Sequence, residues 1–426
     1  LVNYYKYTPY YKSGETITSL DEIPELIPQI VGKKALKRTF DYTHTMTPVP
    51  YKGGFKYKPE IEKQFGRFLG QSTLGRYSKK MKTICEIISK SEGIIMVYSQ
   101  YIDGGLVPFA LALEEMGFRR YGKHGPSTLF DSKHAPTSVD YRSIGGNHAG
   151  NMGSMIPAQY VMITGDKSLS SSNNDDLYAV NQDANVDGSV VKVVLISQAG
   201  SEGIDFHNIR QIHVIDPWYN MSRIEQIIGR TVRNCSHMRL DFNKRNVGIF
   251  LYGSTVEGSD VETADMYLYR FAEKKAIQIG EITRIMKTVA VDCIINKSQN
   301  NYSADTMNQR TNQLLPFENT IVEIDIGDKP FTAACDYQNT CEIKCLNYKD
   351  DTSTQINTST YAGSYVMSNS GRIKARIRDL VRDNYVYYSH ELVSRINAKS
   401  GFPKSQIYAT LTHMVENDTE VVHDMM

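Results

Sequence analysis

Five short runs rich in Val and Ile recur through the middle of the chain: GIIMVYSQ (93–100), YVMITGD (160–166), VVKVVLISQ (190–198), QIHVIDP (211–217) and VGIFLYGS (247–254). Their apolar positions are continuous rather than alternating, which predicts strands buried on both faces. Stretches of helical period lie between them. KKMKTICEIISKSE places Met81, Ile84, Cys85, Ile87 and Ile88 on one face, LVPFALALEEMGF has helical length and period, and RIEQIIGRTVR reads as a further helix. Strand and helix in alternation over 76–255 predict an α/β domain, a parallel sheet with helices on both faces. Within it, residues 119–153 are rich in Gly, His, Ser and Lys and predict an inserted loop.

The flanks follow other patterns. Residues 1–75 form a basic, Tyr-rich leading segment, expected to be extended or loosely structured over 1–60. Residues 256–300 predict a long helical connection, and 301–370 an irregular region with an Asn/Gln-rich linker near 297–313 and a cluster of cysteines. In 371–426 the segments GRIKARIRDLVRDN, SHELVSRINA and PKSQIYATLTHMVEN have the length and period of three short helices, with DTEVVHDMM available as a strand. Three helices and a strand are the order of a winged-helix unit, so an α+β region is expected at this end.

Composition narrows the class. With 426 residues, 41% hydrophobic and 22% charged, the chain is expected to be globular with two or three domains. It has no run of eighteen apolar residues and no charged-then-apolar leader, which speaks against a membrane span or secretion and for an intracellular protein. A first residue of Leu rather than Met leads us to expect further chain upstream. Six scattered cysteines are few for a disulfide scaffold, and reduced thiols are expected. The net charge of +1 conceals an uneven distribution: residues 33–82 hold thirteen Lys or Arg against three Asp or Glu. Interleaved with Tyr42, Phe55, Tyr57, Phe65 and Tyr77, that stretch reads either as a track for a phosphate backbone or as a solvated face over core aromatics.

The chemistry gathers where strands are expected to end. One run leads into SQAGSEGIDF (197–206), the next into DPWYN (216–220), and RIEQIIGRTVR follows at once. Ligands of open parallel sheets bind at the carboxyl ends of the strands. There Gly203 permits close backbone approach, Asp205 can accept from a ribose hydroxyl or an arginine or simply cap a turn, and Gly229 keeps the helix surface flat. Arg230 and Arg233 are expected on one helix face, forking onto phosphate oxygens.

These motifs resemble the second RecA-like domain of superfamily 2 helicases and translocases over about residues 76–255. SEGIDF is similar to the family's fifth motif and QIIGRTVR to its sixth. The resemblance implies that Gln226, Arg230 and Arg233 face the ATP γ-phosphate, with Arg233 as arginine finger and Arg230 assisting. GIIMVYSQ is similar to the fourth motif, which implies that Ser99 and Gln100 touch nucleic-acid backbone; Gln198 and Ser201 are implied contacts too. The wording DPWYNMSRIEQIIGRTVRNCSH is most similar to helicases of large nucleocytoplasmic DNA viruses, the ATPase subunit of the poxvirus early transcription factor among them. ATP and Mg²⁺ are the implied cofactors. DNA, or RNA or a hybrid, is the implied substrate, RNA polymerase an implied partner, and host cytoplasm or virion the implied location.

One departure is large. The sequence contains neither G-x-x-x-x-G-K-[ST] nor a following strand ending in Asp-Glu, and YKGGFKYK (51–58) lacks the spacing and the hydroxyl. Phosphoryl transfer needs a phosphate cradle as well as a finger. The expectation is therefore the C-terminal half of an ATP-dependent helicase in viral transcription, inactive alone, with an N-terminal RecA-like domain supplying the cradle and Mg²⁺ ligands. The alternative is a non-catalytic module that binds nucleic acid or polymerase.

Two further features remain open on the residues. Cys335, Cys341 and Cys345 form C-x₅-C-x₃-C, either three of four zinc ligands or buried structural thiols. Lys404 and Gln406 open the third C-terminal helix, where a winged helix would contact DNA or a protein.

Overall fold

The computed structural model describes residues 32–42, 54–145, 154–167, 169–170, 172–198, 203–256, 258, 260–296, 300–301, 303, 305, 309–315, 320–325, 327–346, 363, 365–398 and 401–417. The chain divides into two compact units, Leu1–Leu346 and Asn347–Met426.

In the larger unit α1 (Gly32–Thr39), β1 (Phe40–Asp41), β2 (Lys56–Tyr57) and α2 (Pro59–Phe65) precede α3 (Lys79–Lys90) and the strand β3 (Ile94–Tyr98). Then come α4 (Val107–Glu115), β4 (Arg119–Arg120), β5 (Gln159–Ile163), α5 (Asn173–Asn181), β6 (Val193–Ile196), β7 (Ile209–Val214), α6 (Met221–Ile228) and β8 (Gly248–Leu251). The six strands β3–β8 form one sheet in the order β4-β5-β6-β3-β7-β8, every pair parallel. Alternate residues of the central strand enter different cores. Ile95 and Val97 pack with Met81, Ile84 and Ile88 of α3 and with α4. Ile94, Met96 and Tyr98 pack with Ala179 and Val180 of α5 and Ile227 of α6. This two-sided burial is the reason the strand runs carry no polar alternation.

Two expectations are corrected here. Residues 32–42 and 54–76 are not a loose leading segment: Phe40, Phe55, Tyr57, Ile61, Phe68 and Leu69 are buried in the same core as α3 and α4. Phe55 and Tyr57 are therefore packing residues, and Arg67 lies over the rings of Tyr57 and Phe130 while its Nε donates to Glu115 Oε1 at 3.0 Å. The expected insert also contributes β4, a strand too short to register in the sequence pattern. Its continuation is held by buried Glu114, which accepts from Phe130 N at 2.9 Å, from Leu129 N at 2.5 Å and from the Tyr160 hydroxyl at 2.7 Å. Burial pushes the Glu114 carboxyl up to about 7 against the pull of these three donors.

Beyond the sheet lie α7 (Ala264–Val289), α8 (Val291–Ile295) and the antiparallel pair β9 (Arg310–Leu315) and β10 (Thr320–Asp325). Residues 327–346 dock on α7 where Gly280 leaves room for the Asp336 carbonyl. There Lys287 Nζ and Arg284 Nε pair with the buried Asp336 carboxylate at 2.5 and 3.5 Å. The cysteines correct a third expectation: Cys293 is bonded to Cys345 and Cys335 to Cys341. Sulfurs spent in disulfides are not the thiolates that zinc requires. Among the described residues no group of three or more His, Cys, Asp or Glu is placed to hold a metal.

The smaller unit contains α9 (Ser370–Asp383), α10 (Ser389–Asn397) and α11 (Lys404–Glu416), closed around Ile373, Ile377, Leu380, Val393, Ile396, Phe402 and Ile407. The three expected helices are present. The segment expected as the wing, 418–426, lies outside the described residues.

Candidate functional site

The connections leaving β6 and β7 meet at the carboxyl end of the sheet. Ser201 and Glu202 lie outside the described residues, and the path resumes at Gly203, whose φ of +72° favours glycine. Open space surrounds the position where its side chain would be. Phe206 then buries its ring and the buried Asn208 turns the chain at φ +59° into β7.

Helix α6 ends earlier than its apolar period suggests. Gly229 caps it, donating its N–H to Glu225 O at 2.7 Å, and Arg230 and Arg233 follow on a turn instead of a helix face. The turn is positioned by backbone pairing. Phe206 N–H donates to Arg230 O at 3.1 Å and Asn208 N–H to Ser236 O at 2.9 Å. Buried Ser236 accepts from Arg233 N at 3.3 Å, and His237 Nε2 donates to Ile209 O at 2.7 Å with its Nδ1 2.8 Å from Ser236 Oγ. The residues after the arginines thus act as a brace, a role invisible to a reading based on helical period.

The result brings two guanidinium groups to the Gly203–Asp205 turn. Arg233 Nη1 forms an ion pair with Asp205 Oδ2, both side chains about half exposed. Such a pair is worth little in stability, about 1 kcal/mol or less, so its effect is orientation. Arg230 Nη1 reaches Ile204 O at 3.4 Å. Gln226 is not directed at the arginines' turn by any bond of its own; its Oε1 accepts from Arg223 Nη1 at 3.1 Å.

The residues expected to touch nucleic acid separate into distinct groups. Ser99 is buried, and its hydroxyl donates to Asp216 Oδ2 at 2.5 Å. Gln100 is half-buried just past β3, and Gln198 is exposed just past β6. Gln406 is buried as well, accepting from Asn369 Nδ2 and donating to Tyr365 O at 2.9 and 2.8 Å. Lys404 is exposed.

Sequence reading missed the clamp beneath this edge. Lys80 is buried, donates to Ile215 O at 3.0 Å and pairs with Asp265 Oδ2 at 2.7 Å, tying α3, the end of β7 and the start of α7. Burial raises the Asp265 carboxyl, but the Lys80 ammonium and the Ser254 N–H outweigh it and hold the group below its ordinary value. No periodicity marks Lys80, since it alternates with Met81 on a basic helix start. Trp218 stacks on Tyr219 with centroids 5.3 Å apart, flanked by Arg223 and Lys275.

A parallel sheet covered on both faces, with an arginine turn braced against a glycine turn at its carboxyl end, defines a RecA-like α/β domain. Residues 155–235 match the family profile described as "Helicase conserved C-terminal domain", and this part of the chain is similar to the C-terminal domain of superfamily 2 helicases. Three similar proteins are viral. Protein 087L of Invertebrate iridescent virus 3, named as a helicase, is 29% identical over 259 residues, covering 59% of this chain and 23% of its own length. A protein of Acanthamoeba polyphaga mimivirus named as an ATP-dependent RNA helicase is 25% identical, covering 56% of this chain and 22% of its own. A termination factor NPH-I homolog of African swine fever virus is 28% identical, covering 57% and 36%. The chain thus spans well under half the length of these relatives. The C-terminal part of the Fun30 ATPase domain aligns at 13% identity and a TM-score of 0.27, too low to carry an argument. Among the described residues no helix is long and apolar enough to cross a membrane.

Proposed function

We propose that this chain is the C-terminal RecA-like half of an ATP-dependent nucleic-acid helicase or translocase, acting on DNA in viral transcription. The observation that carries the reading is the Arg230–Arg233 turn braced against Gly203–Asp205 at the carboxyl end of the sheet. The names of the relatives, helicases and a termination factor, support the polynucleotide substrate and the transcriptional setting.

The site fits a nucleotide phosphate. Two guanidinium groups supply planar donors for equatorial phosphate oxygens, and Gly203 leaves open space beside them. ATP would bring the anhydride whose cleavage drives the motor. Arg233 would leave Asp205 to stabilise charge on the terminal phosphate, Arg230 would hold the adjacent oxygens, and Asp205 would be released toward a ribose hydroxyl. The phosphate loop and Mg²⁺ carboxylates are assigned to an N-terminal RecA-like partner domain, because the sequence holds no motif for either. Closing and opening of the cleft between the two domains would alternate their grips along the strand.

The test is ATP turnover with and without DNA, by this chain and by its mixture with the phosphate-loop domain. DNA-stimulated turnover only in the mixture, abolished by Arg233→Ala with ATP binding retained, is the expected result. Turnover by the chain alone would overturn the division of labour, and no turnover in either would favour a non-catalytic binding module.

A further inference from the structure

The smaller unit was expected to meet nucleic acid through α11, but the structure directs attention elsewhere. Gln406, Ile407 and Thr410 of α11 face the core, leaving Lys404 as the only lysine or arginine on that helix. Helix α9 differs. It carries Arg372, Lys374, Arg376, Arg378 and Arg382 against Asp379 and Asp383, five positive charges less two negative, a net of +3 on fourteen residues. Arg372, Arg378 and Arg382 are exposed. The near charge balance of 371–426 hides this segregation, since Glu416, Asp418, Glu420 and Asp424 all lie at the far end of the sequence.

The loop leaving α9 presents aromatic surface to water. Tyr385 is 70% exposed and Tyr388 76%, with Val386 between them. The loop is held in shape, because the Tyr387 hydroxyl donates to Leu380 O at 2.8 Å and Asn384 Nδ2 to Val386 O at 2.8 Å, while Arg395 covers the Tyr387 ring. Exposed tyrosines on a fixed loop that follows an arginine-rich helix form the pair of elements that binds single strands: cations that follow phosphates and rings on which bases stack. Asp379 and Asp383 are exposed beside these arginines, so it is the net +3 of the helix that favours a polyanion.

We infer that α9 and the 384–388 loop form a binding surface for single-stranded nucleic acid, separate from the arginine turn of the larger unit. The inference stands whether or not the protein hydrolyses ATP.

Fluorescence anisotropy of the whole chain with a labelled oligothymidylate, and with a duplex of equal length, tests it across a salt series. Arg378→Glu/Arg382→Glu is expected to weaken single-strand binding at least tenfold and to reduce the salt slope by about one to two, as loss of two phosphate contacts requires. Tyr385→Ala/Tyr388→Ala is expected to weaken single-strand binding about tenfold with duplex binding changed less than twofold, since paired bases cannot stack on a side chain. Arg378→Lys/Arg382→Lys, with unchanged circular dichroism, should restore binding and so exclude misfolding as the cause. Single-strand affinity within twofold of the parent in both loss variants would overturn the proposal and reassign the surface to a protein. Arg233→Ala should leave this affinity unchanged, so a failed motor and a failed strand surface give different results.

Discussion

Two regions of this molecule are rich in arginine, and they use it in opposite ways. Arg230 and Arg233 sit on an irregular turn whose backbone is pinned at Phe206, Asn208 and Ile209, and Arg233 is already aimed by Asp205. The arginines of α9 stand on a regular helix, and three of them are exposed. The first arrangement fixes a direction, whereas the second only builds a field. A fork that must meet one phosphate needs invariant spacing and bracing; a strip that attracts a strand needs only net charge.

Replacing arginine by lysine separates these modes, since lysine keeps the charge and loses the planar fork. The largest effect should come at the turn. In the reconstituted enzyme Arg233→Ala should lower turnover by about 10³ to 10⁵, the range an arginine finger supplies, with ATP affinity changed only a few-fold. Arg233→Lys should recover little of that loss, and steady-state kinetics checks both. Equal losses in binding and turnover would make Arg233 an affinity group and break the comparison.

A pH series sharpens it next. Burial holds the His213 imidazole down at about 4. The unfolded chain takes up this proton near pH 6.5 and the folded chain only near 4, so stability of the larger unit should fall as pH drops through that window. Glu114 runs the other way: with its folded carboxyl raised to about 7, its contribution is full below about 4.5 and is lost as pH rises toward 7. Thermal melts of the parent and His213→Gln should diverge below pH 6.5, whereas parallel curves would mean that His213 is solvated.

A smaller effect is expected from Ser236→Ala. It removes the hydroxyl bridging Arg233 N and His237, at about 1–2 kcal/mol of stability by loss of a buried hydrogen bond. Under the proposed function turnover should drop along with it, because the brace aims Arg233. If turnover is unchanged while stability falls, the turn is self-supporting. Smallest of all, Arg378→Lys/Arg382→Lys on α9 should leave strand affinity within about twofold, read by anisotropy.

The parts legible in the sequence share one property: they are periodic or local. The buried strands announced themselves through unbroken Val and Ile runs, as in β3 and β6, and Gly203 through its motif. The arginines were found but set on a helix, because Ile227, Ile228 and the residues around them continue the helical period through the point where Gly229 caps α6. Ser99 and Gln406 looked available because polarity is visible in a sequence and burial is not; each is spent on a partner distant in the chain, Asp216 and Asn369. The Lys80–Asp265 clamp and the Cys293–Cys345 disulfide are long-range pairings of the same kind.

One of those disulfides changes what a protease would reveal. Cys293 and Cys345 are joined across a sequence separation of 52, spanning the Asn/Gln-rich stretch and the β9–β10 pair. A single cut anywhere between them leaves the two fragments covalently linked. The nicked chain should migrate as one band until a reductant is added and as two bands afterwards, so digestion followed without reductant would count the cleaved protein as intact.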